Sequence, residues 1–198
     1  MQDENREFLT TQIITYLGNK RSLIANIEKE VEKIKSEIGK ERLICADLFS
    51  GSGIVATMLK KHSHTLIVND METYSKLLNE CYLTNKADYP CHLCNEWHSI
   101  IENECKKDKI EGIITQHYAP KDDNAIQMGE RVFYTHENAL LIDTYRQLID
   151  DVVKEKAQKK FFLAPLIVEA SIHVNTSGVF KGFYKNKHTR IGCFGGTK

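Results

Sequence analysis

Apolar positions in the first third of the chain follow helical spacing and then strand-like spacing. Residues 23–38 carry an apolar stripe with helical spacing, which predicts an amphipathic helix that Gly39 ends. The stretch RLICADLFS is nearly all apolar, which is typical of a strand buried on both faces of a parallel sheet. A helix over 54–61 and a second strand in HTLIVND complete a predicted βαβ unit.

The remaining elements are predominantly helical. A further helix is predicted over 72–85, and one beginning at the N-cap residue Thr135 carries the next clear apolar stripe. The stretch KKFFLAPLIVEASIHVN is apolar almost all round, which predicts a buried helix.

The segment 86–135 is the least periodic part of the chain. It contains two of the three prolines and the polar run APKDDNAIQMGE, which indicates a loop or an inserted element. We therefore expect three parts, namely 1–85, an insertion over 86–135, and a helical segment with a basic tail over 136–198.

Charge is balanced globally but not locally. Lys plus Arg and Asp plus Glu each number 27, so no overall field indicates a nucleic-acid or membrane binder. No leader sequence or membrane-length apolar run is found, and we expect a cytoplasmic protein without a membrane partner. From Lys154 onward, however, nine Lys or Arg residues stand against two acids, Glu155 and Glu169.

Basic residues in the C-terminal tail are interspersed with aromatic residues, a composition that suits phosphate contacts and base stacking. A solvated tail explains the composition equally well. The aromatic candidates for stacking are Phe180, Phe183, Tyr184 and Phe194. The candidate nucleic-acid contacts are Lys181, Lys185, Lys187 and Arg190.

Four potential zinc ligands occur together, at Cys91, Cys94, His98 and Cys105. A structural zinc site usually combines two closely spaced pairs, whereas His98 and Cys105 are seven positions apart. We expect no metal site, and buried or idle thiols are the favoured interpretation of the six cysteines.

The stretch DLFSGSG ends the first predicted strand and forms a turn before the following helix, and its glycines resemble those of a nucleotide-binding turn. It lacks the Gly-Lys-Ser/Thr of a phosphate loop, but Ala56 fits the third position of the dinucleotide fingerprint. An acid at Asp47 suits a cationic ligand better than a pyrophosphate, and Asp70 can accept hydrogen bonds from ribose hydroxyls. These two acids favour S-adenosylmethionine, with a dinucleotide still possible.

Five segments together resemble the Dam-like DNA adenine-N6 methyltransferases. In chain order they are YLGNKRSL, DLFSGSG, ND at 69–70, RVFYTHENALLIDTYRQLI and NTSGVFKGFYKN. The resemblance implies an α/β fold, namely a Rossmann-like S-adenosylmethionine-dependent methyltransferase fold, here with an incomplete sheet and a helical or loop insertion. It also implies S-adenosylmethionine as cofactor, double-stranded DNA as partner, and a restriction-modification setting.

The same resemblance implies a set of cofactor-binding residues. Three would lie at the methionine end of the cofactor, with the lysine near its carboxylate: Tyr16, Gly18 and Lys20. Four would form the turn beneath the methionine and ribose: Asp47, Phe49, Gly51 and Gly53. Asp70 would hold the ribose hydroxyls. The aperiodic segment 86–135 would belong to the target-recognition part.

The family's catalytic Asp-Pro-Pro-Tyr motif is absent from this sequence, because Pro90, Pro120 and Pro165 are never adjacent. No catalytic residue is therefore identified. We expect the N-terminal portion of a methyltransferase, as a subunit completed by a second chain, a truncated product, or a remnant that only binds DNA. A non-catalytic nucleic-acid-binding protein is the main rival, and an NAD-type oxidoreductase leaves residues 16–23 unexplained.

Overall fold

The computed structural model describes residues 20–176 and 182–195. The chain forms two compact units, which divide between Tyr89 and Pro90. The three parts expected from the sequence, with boundaries after residues 85 and 135, stay a prediction.

The first unit contains the predicted βαβ arrangement. Its helices and strands are α1 (Ile24–Ile38), β1 (Leu43–Asp47), α2 (Ile54–His62), β2 (Ser63–Val68) and α3 (Thr73–Tyr82). Short 3₁₀ turns occupy Arg21–Leu23 and Lys86–Asp88. Gly39 ends α1 in the left-handed conformation at φ 65°, as its place in the sequence predicts.

The two strands are parallel and form a two-stranded sheet within the described residues. Asp47 is paired with Val68, so both strands finish at the same edge of the sheet. The backbone pairing continues into the loops, since the N–H of Asn69 donates to the carbonyl of Asp47 at 2.8 Å. The carboxyl end of the sheet therefore brings the glycine turn and Asp70 together.

One face of this sheet is covered by helices. Ile24, Ile54, Met58 and Leu59 form the buried core, and Cys45 and Leu66 pack against it from the strands. The opposite face is open among the described residues, with Ile44 68% exposed and Ile67 53% exposed. The expectation that β1 is buried on both faces was therefore wrong, because helices cover only one side of the described sheet.

The second unit is helical and ends in a hairpin. Its helices are α4 (Cys91–Cys105), α5 (Ile113–Tyr118), α6 (His136–Val152) and α7 (Lys160–Ile172). The Thr135 side chain accepts a hydrogen bond from the N–H of Asn138 at 3.1 Å, which confirms the predicted N-cap of α6. Within the segment 86–135, which the sequence left without periodicity, residues 91–105 and 113–118 are helical and most of the rest is loop.

Two apolar clusters stabilise the second unit. Ile101, Ile149 and Val153 form one cluster, against which side chains of α7 pack. The second surrounds Phe133, Tyr134 and Ala139. Among the residues of α7, only Ala164 is fully buried. The prediction of a wholly buried helix was therefore too strong, and α7 is mostly half-buried.

No helix over residues 20–176 or 182–195 is both long enough and apolar enough to cross a bilayer.

Candidate cofactor site and basic hairpin

The glycine turn after β1 has the backbone geometry of a ligand-binding loop. Gly51 and Gly53 have φ values of 51° and 81°, a region that residues with a side chain rarely adopt. The N–H of Gly53 donates to the carbonyl of Ser50 at 2.8 Å, closing the turn immediately before α2. The backbone is thus folded tightly enough for a ligand to approach it closely.

Asp70 is fixed by backbone groups on both sides. Its Oδ1 accepts a hydrogen bond from the N–H of Glu72 at 3.0 Å, and its Oδ2 accepts one from the N–H of Gly51 at 2.7 Å. The bond from Glu72 first, and then that from Gly51, lower the pKa of the Asp70 carboxyl because both stabilise its charged form. Asp70 therefore stays ionised, and each oxygen retains a lone pair for a further donor.

Asp47 has the opposite environment. Burial raises the pKa of its carboxyl, and the nearby N–H groups of Phe49 and Ala56 and the charge of Lys20 compensate only in part. Its buried Oδ2 has no hydrogen-bond partner in the part of the chain that the structure describes. Because a buried acceptor without a donor is rare, this oxygen is a strong candidate for ligand binding.

The structure places six of the eight predicted cofactor residues in the first unit, around this edge of the sheet. Asp47, Gly51, Gly53 and Asp70 come together directly, and Lys20 acts electrostatically on both acids. Phe49 is 76% exposed, beside the turn. Tyr16 and Gly18 lie outside the described residues.

Sequence reasoning missed a buried polar cluster that contacts this turn. It consists of Ser50, Ser75 and Asn79, joined by hydrogen bonds of 2.8–3.3 Å. Serine and asparagine are common in turns and on helix surfaces, so no pattern in the sequence identified these residues.

Three of the four predicted nucleic-acid residues of the tail lie on a β-hairpin in the second unit. Lys185 pairs with Gly192, and the N–H of Asn186 donates to the carbonyl of Ile191 at 2.8 Å. The side chains of Lys185, Lys187 and Arg190 are exposed on this hairpin. Lys181 lies outside the described residues.

Asn175, another residue that the sequence did not single out, anchors the hairpin. Its Nδ2 donates to the carbonyls of Val132 and Cys193 at 2.7 and 2.9 Å, and its Oδ1 accepts from the N–H of Gly195 at 2.9 Å. The base of the hairpin is therefore fixed to the body of the second unit.

The aromatic residues of the tail do not share one role. Phe183 packs edge-on against Phe133, with ring centroids 5.1 Å apart, and belongs to the apolar cluster. Part of its ring is therefore engaged in this cluster, and base stacking by Phe183 stays a prediction. Tyr184 and Phe194 remain partly exposed, and Phe180 lies outside the described residues.

The cysteine cluster does not assemble into a metal site. Cys94 and Cys105 lie on the same helix, and eleven residues of α-helix separate them by about 16 Å. Among residues 20–176 and 182–195, no group of three or more His, Cys, Asp or Glu side chains could hold a metal ion.

Comparison with known protein families identifies the family of this chain. The family profile of the D12 class N6 adenine-specific DNA methyltransferases matches residues 16–191. The chain belongs to this family. The resemblance to the Dam-like enzymes is thereby confirmed, and the mixed α/β structure with a parallel pair of strands is compatible with a methyltransferase fold.

Several restriction-modification methylases are similar to this D12 family chain. The type II methyltransferase M.NlaIII of Neisseria lactamica is 29% identical over 87% of this chain and 50% of its own length. Modification methylase LlaI of Lactococcus lactis subsp. lactis is 31% identical over 86% of this chain and 27% of its own length. The type II methyltransferase M.CviAII of Paramecium bursaria Chlorella virus 1 is 30% identical over 87% of this chain and 49% of its own length.

This member of the D12 family thus spans half or less of the length of these curated relatives. No solved structure matches it.

Because Gly53 lies close to Asn79 of α3, we expect the stability of the chain to be unusually sensitive to a methyl group added at Gly53. A Cβ on Gly53 would lie 2.6 Å from Asn79 Oδ1, whereas a Cβ on Gly39, also at positive φ, would meet nothing within 4 Å. We expect Gly39→Ala to cost about 1 kcal/mol of stability and Gly53→Ala about 2–4 kcal/mol. Urea unfolding of the two variants measures the difference, and equal losses would contradict a steric role of Asn79.

The two acids predict opposite pH effects. Burial raises the pKa of the Asp47 carboxyl, which means that ionising this group destabilises the folded state. Asp47→Asn should therefore stabilise the chain at pH 7. That gain should disappear below the ordinary aspartate pKa, where the wild-type carboxyl is also neutral. The lowered pKa of Asp70 implies stability that is present at pH 7 and lost in acid, so Asp70→Asn should destabilise at pH 7 only.

Free energies of unfolding between pH 3 and 7 test this pair of variants. Each substitution serves as the other's control, because both remove one carboxylate from the same edge of the sheet. Effects of the same sign at pH 7 would show that the two environments are not opposed.

Proposed function

We propose that this chain is the cofactor-binding portion of a DNA adenine-N6 methyltransferase from a restriction-modification system. The observation that carries the proposal is the pairing of two differently held acids at one glycine turn. Asp47 offers a buried oxygen without a partner, and Asp70 is held ionised by two backbone N–H groups. Both lie where parallel strands end, which is the ligand-binding edge of open α/β sheets.

These residues fit S-adenosylmethionine, whose amino-acid end is a zwitterion and whose ribose carries two hydroxyls. A buried, negatively charged oxygen on Asp47 is suited to a cationic group and would repel a pyrophosphate at close range. Asp70 can accept hydrogen bonds from ribose hydroxyls with the lone pairs that its backbone donors leave available. The chemistry of the two acids therefore favours this cofactor over a dinucleotide.

Other residues complete the proposed cofactor site. Lys20 would pair with the methionine carboxylate, a role supported by its electrostatic effect on both acids. The exposed ring of Phe49 would lie against the cofactor beside the turn. Tyr16 and Gly18 are assigned to the methionine end by their place in the family motif.

The bound cofactor would supply the methyl group that the complete enzyme transfers to N6 of a flipped adenine. The Asp-Pro-Pro-Tyr motif that would hold that adenine is absent from this sequence. We propose that the motif comes from polypeptide outside this sequence, either as a continuation of the same chain or as a second chain.

The open face of the sheet supports this proposal. Ile44 and Ile67 are exposed there, and the sheet has two strands among the described residues, which fits an incomplete Rossmann-like sheet. A cytoplasmic location and a target-recognition role for residues 86–135 are further expectations of the same proposal.

Double-stranded DNA is the proposed partner of the hairpin. Lys185, Lys187 and Arg190 are exposed on a structure that Asn175 fixes in place, so their charges can be presented together to phosphates. Lys181 is assigned to the same surface from the sequence. This assignment makes the second unit the part of the chain that contacts DNA.

Isothermal titration calorimetry of S-adenosylmethionine tests the cofactor site. We expect the wild-type chain to bind S-adenosylmethionine and not NAD, because the acid at Asp47 disfavours a pyrophosphate. Asp70→Ala should abolish measurable binding or weaken it by at least about tenfold, because it removes the acceptor for the ribose hydroxyls. Lys76→Ala, on the exposed surface of the same unit, is the control.

Binding of NAD with equal affinity, or unchanged binding by Asp70→Ala, would contradict the assignment of the site. A folded chain that binds DNA but not S-adenosylmethionine would favour the second candidate function, a non-catalytic DNA-binding protein that uses the basic hairpin.

Titration of a DNA duplex at several salt concentrations tests the hairpin. The triple variant Lys185→Ala, Lys187→Ala, Arg190→Ala should bind more weakly, and the slope of log K against log salt should fall by up to about three. The matched control removes the same charge from the first unit by Lys29→Ala, Lys33→Ala and Lys40→Ala. Equal losses in the two variants would indicate a nonspecific charge effect.

A further inference from the structure

The buried polar cluster beneath the glycine turn has no role in the function proposed above. Ser50, Ser75 and Asn79 are 6%, 0% and 8% exposed, so all three side chains are removed from solvent. Polar groups at such burial are retained only where hydrogen bonds compensate for lost water. The cluster therefore has a structural or positioning task.

Asn79 is the centre of this cluster. Its Nδ2 lies 2.8 Å from the carbonyl oxygen of Ser75, 3.2 Å from Ser50 Oγ and 3.3 Å from Ser75 Oγ. The two hydroxyl oxygens are themselves 3.3 Å apart. One amide nitrogen thus links α3, which carries Ser75 and Asn79, to Ser50, where the tight part of the glycine turn (residues 50–53) begins.

The other side of the same amide faces the last residue of the turn. Asn79 Oδ1 is buried and has no hydrogen-bond partner among the described residues. It lies so close to Gly53 that a Cβ there would be 2.6 Å away. The amide therefore contacts both ends of the turn, Ser50 by a hydrogen bond and Gly53 by van der Waals contact.

The turn is also fixed from the side of β2. The N–H of Ser50 donates to the carbonyl of Asn69 at 3.1 Å, and the N–H of Gly51 donates to Asp70 at 2.7 Å. Asp70 in turn accepts the N–H of Glu72, the residue before α3 begins. The N-terminus of α3 thus holds Asp70 through the N–H of Glu72. Two helical turns further along α3, Asn79 holds the glycine turn through Ser50.

We propose that Asn79 is a positioning residue for the S-adenosylmethionine site. By fixing Ser50 and Gly53 relative to Asp70, it sets the affinity for the cofactor, although its own side chain is buried on the α3 side of the turn. This inference rests on the proposed cofactor function.

The test compares three variants with the wild-type chain. Asn79→Ala removes the amide, and Asn79→Asp keeps its volume but replaces both N–H donors by an oxygen that faces the carbonyl oxygen of Ser75. Glu80→Ala, at the next and exposed position of the same helix, is the control. Calorimetry should show at least about tenfold weaker S-adenosylmethionine binding for both Asn79 variants and no change for the control.

Amide hydrogen exchange of the ligand-free chain gives a second readout that does not require the cofactor. In Asn79→Ala, the amides of Gly51 and Gly53 should exchange faster, whereas those of α1 and α6 should keep the wild-type rates. A general loss of stability would instead accelerate exchange throughout the first unit. Should Asn79→Ala fail to fold, Ser50→Ala removes only the linking hydroxyl and gives the same test.

The outcomes separate this inference from the function on which it rests. If the wild-type chain binds the cofactor and Asn79→Ala binds it equally well with unchanged Gly51 and Gly53 exchange, the positioning role is overturned. If the wild-type chain binds no S-adenosylmethionine, the proposed cofactor site fails, and the exchange rates alone decide whether Asn79 orders the turn.

Discussion

The hydrogen bond between the N–H of Gly51 and the carboxylate of Asp70 is the contact on which the candidate site depends. It joins the loop after β1 to the loop after β2, at the edge where both strands end. Parallel pairing brings the two loops to the same edge, but it does not set the distance between them. This bond does so together with the bond from the N–H of Ser50 to the carbonyl of Asn69, and Gly51 takes part in it at a positive φ.

Asp47 and Asp70 show how two identical side chains acquire different properties from their surroundings. Asp70 accepts two backbone hydrogen bonds that stabilise its charge, whereas Asp47 is buried with one oxygen unpaired. The protein tolerates the unfavourable environment of Asp47 because the surrounding βαβ unit is stabilised by apolar packing between α1, α2 and the sheet. Such a locally unfavourable polar group is common at binding sites, where a ligand satisfies it.

The two compact units carry different parts of the proposed activity. The first unit holds the residues assigned to the cofactor, and the second holds the basic hairpin, fixed at its base by Asn175. The family match extends across both units, over residues 16–191. The chain spans half or less of the length of these curated relatives.

Local patterns in the sequence determined the βαβ unit, the end of α1, the beginning of α6, the glycine turn and the places of Asp47 and Asp70 after the two strands. These features depend on contacts between residues near in sequence, on spacing, and on the conformational freedom of glycine. Only the tertiary structure decided that Phe183 packs against Phe133, that Asn79 lies under the turn, and that one face of β1 is uncovered by any described residue. These three features depend on which segments that are distant in sequence come into contact. The local sequence around an asparagine, phenylalanine or isoleucine is the same whether that side chain is buried or exposed.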